Sequence, residues 1–315
     1  MSDDTAPIIA LLGDSTLDNV VWVESPADSI RDQLLALLPP SSQVLNLAAD
    51  GFTTSHMLEG AYPSISFAAR EEAGDPFPPM AEDGTFKPLE ALADEVGPKF
   101  ERVSDVNRRT SQEFTLTPGT PVSHSVLSVG GNDIRVILGQ MHKLESVMAS
   151  FSEAYPKIMD AITTSTPNLI VQLQYKPSQN MDQVYRVYAA MDAIPGEGSA
   201  DQKMSGLMTM MYNPIIAKAK EAGLPIIDLS NTFDPTNDEL YRSQIEPSAI
   251  GGGVIAKLIA HVALHHDFTG PSHIYSASDG GLGDIISTPT PDSWTCYPHG
   301  TSPPPSSSPS SCTLS

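Results

Sequence analysis

Five apolar residues in a row, Ile8 to Leu12, are closed by Gly13, and a short uninterrupted apolar run ending in a turn residue predicts a buried strand. Comparable runs recur at 43–47, 124–129, 168–174 and 224–228. Between them the apolar spacing becomes helical. Ile30, Leu34, Leu35, Leu37 and Leu38 predict a helix over 29–38, with Asp28 as its cap and Pro39-Pro40 as its stop. A further helix opens at Thr53, and others are expected over about 143–164, 201–222 and 248–264. In the 201–222 segment Met204, Leu207, Met208 and Met211 share one face, and Pro214 is expected to kink or split it. Strands that alternate with helices predict an α/β fold around a parallel sheet of about five strands.

Two stretches break this rhythm. Residues 61–121 carry many Pro, Gly and charged positions with weak periodicity, which predicts a long excursion with partial helix around 88–112, a plausible lid or pocket wall. From 286 onward Ser and Pro dominate, so the chain divides into an α/β domain over 1–285 and a disordered tail over 286–315.

Composition narrows the function classes. The chain has 315 residues with 17 basic and 38 acidic side chains, a formal charge of −21. Lys and Arg form no cluster, which disfavours nucleic acid and anionic membrane surfaces and leaves a small-molecule substrate. Its 2 cysteines, Cys296 and Cys312, lie near the C-terminus, so no disulfide framework staples the core. No run reaches the ~18 apolar residues of a membrane span, and the acidic start lacks the basic flank of a secretory signal. A cytoplasmic location is the expectation.

In parallel sheets ligands sit beyond the carboxyl ends of the strands, and three polar or glycine clusters occupy that position. They are Gly13-Asp14-Ser15-Thr16, then Asp50-Gly51, then Gly130-Gly131-Asn132-Asp133. Acyl transfer needs a hydroxyl nucleophile, a base, and donors aimed at the oxygen that becomes negative. Ser15 can be the first; the backbone N–H groups of Ser15 and Gly51 and the Asn132 amide can be the donors. These blocks, in this order, resemble the SGNH or GDSL-type hydrolases (esterases and lipases). The resemblance spans about residues 7–265 and implies a flavodoxin-like three-layer α/β/α sandwich, no cofactor or metal, and hydrolysis of a small acyl or acetyl ester through an acyl-serine.

One block of that family is replaced. Its Asp-x-x-His would fall before the last helix, where this chain reads Ser243-Gln244-Ile245-Glu246, and no Asp in the chain is followed three residues later by His. His261, His265 and His266 lie ~20 Å or more along the last helix from Glu246. His124 stands at the far end of its strand, and His142 and His273 fall in segments without a placement. The base is therefore Glu246, His56 in the first turn after Gly51, or none. A buried glutamate can act as a general base. If none serves, the protein is a hydrolase-shaped binding protein without activity. Asp14 is expected to turn away from the Ser15 pocket and bond backbone, Asp18 to start a helix, and Asp133 to brace its loop.

Overall fold

The structure is a computed structural model that describes residues 6–20, 22–48, 51–59, 122–139, 144–181 and 186–301. The whole 61–121 excursion, His142 and the segment from 302 onward lie outside the described residues.

Strands β1 (Ile8–Gly13), β2 (Gln43–Asn46), β3 (His124–Ser128), β4 (Leu169–Leu173), β5 (Ile226–Asp228), β6 (His273–Ala277) and β7 (Ile285–Pro289) form one sheet in the order β2-β1-β3-β4-β5-β6-β7. All neighbours are parallel except β6 and β7. The first five strands keep the 2-1-3-4-5 order of doubly wound sheets, with chain reversal between β1 and β3. The helices are α1 (Ile30–Leu37), α2 (Thr54–Glu59), α3 (Gly131–Gly139), α4 (Leu144–Ser165), α5 (Val187–Ala193), α6 (Ala200–Glu221) and α7 (Ala249–His265).

Both faces of the sheet are covered, so its strands read as continuous apolar runs rather than alternating ones. On one face Ile9, Leu11, Val126, Ile170 and Ile227 pack against Ile30 and Leu34 of α1 and Ile255 and Ile259 of α7. On the other, Leu127, Val171 and Leu173 pack against Phe151 and Tyr155 of α4 and Met208 and Tyr212 of α6. The result is a three-layer α/β/α sandwich. The methionine face of α6 is core packing, where unbranched thioethers fill irregular gaps.

Four expectations need correction. The sheet has seven strands, not about five: β6 and β7 mix apolar and polar residues without a continuous apolar run, so pairing with β5 and with each other is what marks them as strands. The boundary at 286 moves for the same reason. β7 continues to Pro289, and Trp294 and Cys296 are buried against α6, with Trp294 N donating to Asn213 Oδ1 at 2.9 Å. Of the two outcomes expected at Pro214, splitting does not occur: α6 runs through it from Ala200 to Glu221. The cap of α1 is Ser29, whose side chain accepts from Asp32 N, while Asp28 closes a preceding 3₁₀ turn.

Among the described residues no helix is long and apolar enough to cross a membrane.

Candidate active site

The nucleophile turn is shaped by what surrounds Gly13. Its φ of 141° is a backbone state that side chains rarely adopt, and a Cβ there would collide with the Ser128 carbonyl of β3. The chain then tightens: Asp14 N donates to Ser128 O at 3.0 Å, and Leu17 N and Asp18 N both donate to Asp14 O, at 3.0 and 3.1 Å. This lifts Ser15 above the carboxyl end of β1. Asp18 starts no helix; its Oδ1 accepts from Asn46 Nδ2 at 3.1 Å, tying the turn to the end of β2.

A buried polar net holds the turn from below. Gln174, just past β4, donates through Nε2 to Asp14 Oδ2 at 3.0 Å and accepts from Thr16 Oγ1 at 2.6 Å. Asp14 Oδ1 also accepts from Thr16 N at 3.1 Å, as expected of a turn aspartate. Asp14 nevertheless lines the same cavity as Ser15, contrary to expectation, because the turn is so tight that both side chains stay over the sheet end. Burial pushes its carboxyl up to about 7 despite the hydrogen bonds from Thr16 and Gln174, and the nearby Asp133 adds to the rise.

From the opposite side comes the loop before α7. Ser15 Oγ donates to Glu246 Oε1 at 3.1 Å, and the glutamate is fully buried. Several bonds fix that loop. Ser248 caps α7 by accepting from Gly251 N at 3.1 Å; Arg242 N donates to Glu246 O at 2.9 Å; Ser178 N donates to Gln244 O at 2.8 Å. Tyr175 Oη donates to Ile245 O at 2.6 Å, and its ring stacks on Phe233 at 4.7 Å. The segment Ser243-Gln244-Ile245-Glu246 thus presents the carboxylate to the serine from a rigid turn.

The third wall is the start of α3. Asn132 Nδ2 donates to Phe52 O at 2.8 Å, and its Oδ1 accepts from Arg135 Nη1 at 3.0 Å. Asp133 braces the neighbouring α2, its carboxylate accepting from Thr54 Oγ1 at 2.6 Å and from Thr54 N. Burial raises this carboxyl too, against the bonds from Thr54.

Ser15, Asn132 and Glu246, from separate stretches of sequence, therefore enclose one cavity of about 50 Å³. Its apolar wall is made by Ile134, Val187, Met204, Met208 and Ile245. Gly51 does not line it; with φ 87° it precedes Phe52, whose carbonyl holds the Asn132 amide. His56 lies in the first turn of α2, with its side chain outside the described residues. His261, His265 and His266 sit at the far end of α7, where His266 Nδ1 meets Tyr275 Oη at 2.9 Å. His299 Nδ1 lies 3.2 Å from Asp234 Oδ1 over the β5 end. Among the described residues no group of three His, Cys, Asp or Glu is placed to hold a metal.

Arg135 has no motif around it in the sequence, which allows it only a role toward an anionic substrate group if it faces the cleft; it does line the cavity, and the expected direction of Asp14 is wrong. The signal for Arg135 was its place three residues after Asn132, one helical turn on.

No protein-family model matches the chain. No curated protein matches it in sequence. Solved structures do resemble it. One is an alpha/beta hydrolase enzyme from the metagenome of Lake Arreo, Spain, 14% identical over 82% of this chain and 96% of that one, with a TM-score of 0.43. Another is phospholipase A1 from Streptomyces albidoflavus, 12% identical over 81% and 98% of the two chains, TM-score 0.42. A third is an extracellular lipase from Streptomyces rimosus, 13% identical over 78% and 95%, TM-score 0.40.

Proposed function

We propose that this chain is a serine ester hydrolase of SGNH type that cleaves small acyl esters, using Ser15 as nucleophile and Glu246 in place of a histidine. The observation that carries this reading is the 3.1 Å hydrogen bond from Ser15 Oγ to Glu246 Oε1 at the edge of a cavity that also holds Asn132.

The steps follow from that geometry. Glu246 takes the Ser15 hydroxyl proton as Oγ attacks the ester carbonyl carbon, and the Asn132 amide with the Ser15 N–H receives the oxyanion. Collapse of the intermediate breaks the ester C–O bond, and the proton on Glu246 passes to the leaving alkoxide. Water then attacks the acyl-serine and gives a proton to Glu246; the second intermediate breaks its bond to Ser15 Oγ, which takes that proton back as the acid leaves. A glutamate is a weaker base than histidine but a better acid, so burial in an apolar wall matters most for the first step. The acyl group rests against Val187, Met204 and Met208, and a cavity of about 50 Å³ suits an acetyl or similarly short chain.

The glutamate at the histidine's place also favours a second reading, a cleft that recognises an acylated ligand without cleaving it. Hydrolysis of an aryl acetate by the parent and by Ser15→Ala separates the two. The proposal expects turnover that Ser15→Ala abolishes. Equal rates in both proteins would end it, and no turnover in either would leave the binding reading.

A further inference from the structure

Arg135 is buried in the wall of the Ser15 cavity, yet neither the nucleophile nor the base calls for it. A guanidinium is always charged in a protein, so Arg135 brings a full positive charge to the Asn132 side of the cavity. Its Nη1 donates to Asn132 Oδ1 at 3.0 Å, one helical turn away on α3. Since Asn132 Nδ2 donates to Phe52 O on its other side, the amide is oriented from both ends, with its nitrogen fixed away from the guanidinium.

The charge balance of a glutamate-based site shows what such a cation is for. With a histidine base, proton transfer from serine creates an imidazolium, so the developing oxyanion gains a positive neighbour in the same step. With Glu246 no cation forms. The carboxylate becomes neutral while the carbonyl oxygen becomes negative, and one negative charge moves across the cavity from Glu246 toward Asn132. A fixed positive charge on the Asn132 side makes that destination more favourable than neutral donors alone do, and in a low-dielectric cavity its effect is large.

Resting on the Ser15–Glu246 reading, we propose that Arg135 is the fixed cation of the oxyanion site, holding the Asn132 amide and supplying the positive charge that a catalytic imidazolium would otherwise bring. Its bond to Asn132 polarises the amide so that Nδ2–H becomes a stronger donor. The N-terminus of α3, at Gly131, adds its dipole in the same direction.

The test uses two charge-distinguishing variants. Arg135→Lys keeps the charge, and Arg135→Gln keeps a hydrogen-bond donor without it. Kinetics on an aryl acetate are paired with the affinity of a small alkylboronic acid, whose boron accepts Ser15 Oγ to form a tetrahedral anion while the serine proton passes to Glu246. Melting curves establish that each variant is folded, and the lysine and glutamine variants are compared with each other as well as with the parent. We expect Arg135→Gln to lower kcat about 100-fold with KM changed less than about threefold, to weaken the boronate comparably, and Arg135→Lys to recover at least about tenfold in both. In an Asn132→Ala background the loss on Arg135→Gln should shrink, since the two act on one oxygen. Ser15→Ala, run alongside, should abolish both readouts. If Ser15→Ala matches the parent, the Ser15 reading falls and this inference falls with it. If Ser15→Ala abolishes both but the glutamine variant equals the lysine variant or the parent, the charge has no role and this inference alone is overturned. A loss confined to KM also overturns it, because it would make Arg135 a substrate anchor. Where the parent shows no turnover, the boronate affinities decide by the same comparison.

Discussion

Two polar regions lie beyond the carboxyl ends of the same sheet, and they treat their charges in opposite ways. Over β5 and β6 a groove of about 940 Å³ contains Lys176, Asp228, Asp234 and His299. There the charges serve the fold. Lys176 Nζ donates to Tyr297 O at 2.8 Å and pairs with Asp201 at 3.2 Å; Asp228 Oδ2 accepts from Trp294 Nε1 at 2.7 Å; Asp234 meets His299. These bonds fasten the 290–301 segment to the domain. Over β1 and β3 the cavity is far smaller and drier, and its groups point at one another across a space that a substrate can enter. Ser15 faces Glu246, Asn132 is braced by Arg135, and Asp14 is held at a raised pKa. A crowd of titratable groups is thus no sign of chemistry by itself. What distinguishes the cavity is convergence of a nucleophile, a base and donors on one apolar-walled space.

The contrast is broken most directly by exchanging activity for stability. Glu246→Gln should lower kcat on an aryl acetate by about 10³-fold, within the range found for general bases, with little change in melting temperature. The reverse is expected of the groove. Trp294→Ala empties a buried site against α6 and should cost about 4 kcal/mol in urea unfolding, while kcat of the folded fraction stays within about twofold.

A pH experiment sharpens the comparison on the cavity side. Asp14 is raised from 3.8 to about 7, so between those values the folded protein holds a proton that the unfolded chain has released. Unfolding then releases protons, and stability falls as pH rises through that window. The loss assigned to Asp14 is about 3 kcal/mol between pH 5 and pH 8. Asp14→Asn should remove that fall, so its melting temperature relative to the parent should be distinctly higher at pH 8 than at pH 5. The smallest effect concerns substrate choice. Met208→Ala widens the acyl wall and should raise the butyrate-to-acetate ratio of kcat/KM about tenfold, a ratio independent of how much protein is folded.

How much of this is legible in the sequence differs between the same two regions. Ser15 and Asn132 are readable because each follows an apolar run at a strand end, where a short motif carries its own structural context. Glu246 is readable only as the residue standing at a histidine's place; its bond to Ser15 depends on a loop clamped by Tyr175, Ser178 and Ser248, and pattern cannot convey those long-range contacts. Asp14 is misjudged because alternation of side chains holds along a strand and fails in the turn that ends it. At the other side of the sheet, β6 and β7 carry no continuous apolar run, and their order comes from pairing with each other and, for β6, with β5. The core strands and long helices, whose periodicity spans many residues, lie within a few residues of their expected places.

The central claim is that Glu246 activates Ser15, and it is tested by the rate at which a fluorophosphonate labels the protein as a function of pH, read by intact mass and peptide mapping in the parent and in Glu246→Gln. The account predicts a single adduct on the Ser15 peptide, formed faster as one acidic group ionises, with both the pH limb and most of the rate lost in Glu246→Gln. An adduct on another residue, or labelling of Ser15 at the same rate and pH dependence without Glu246, would contradict it.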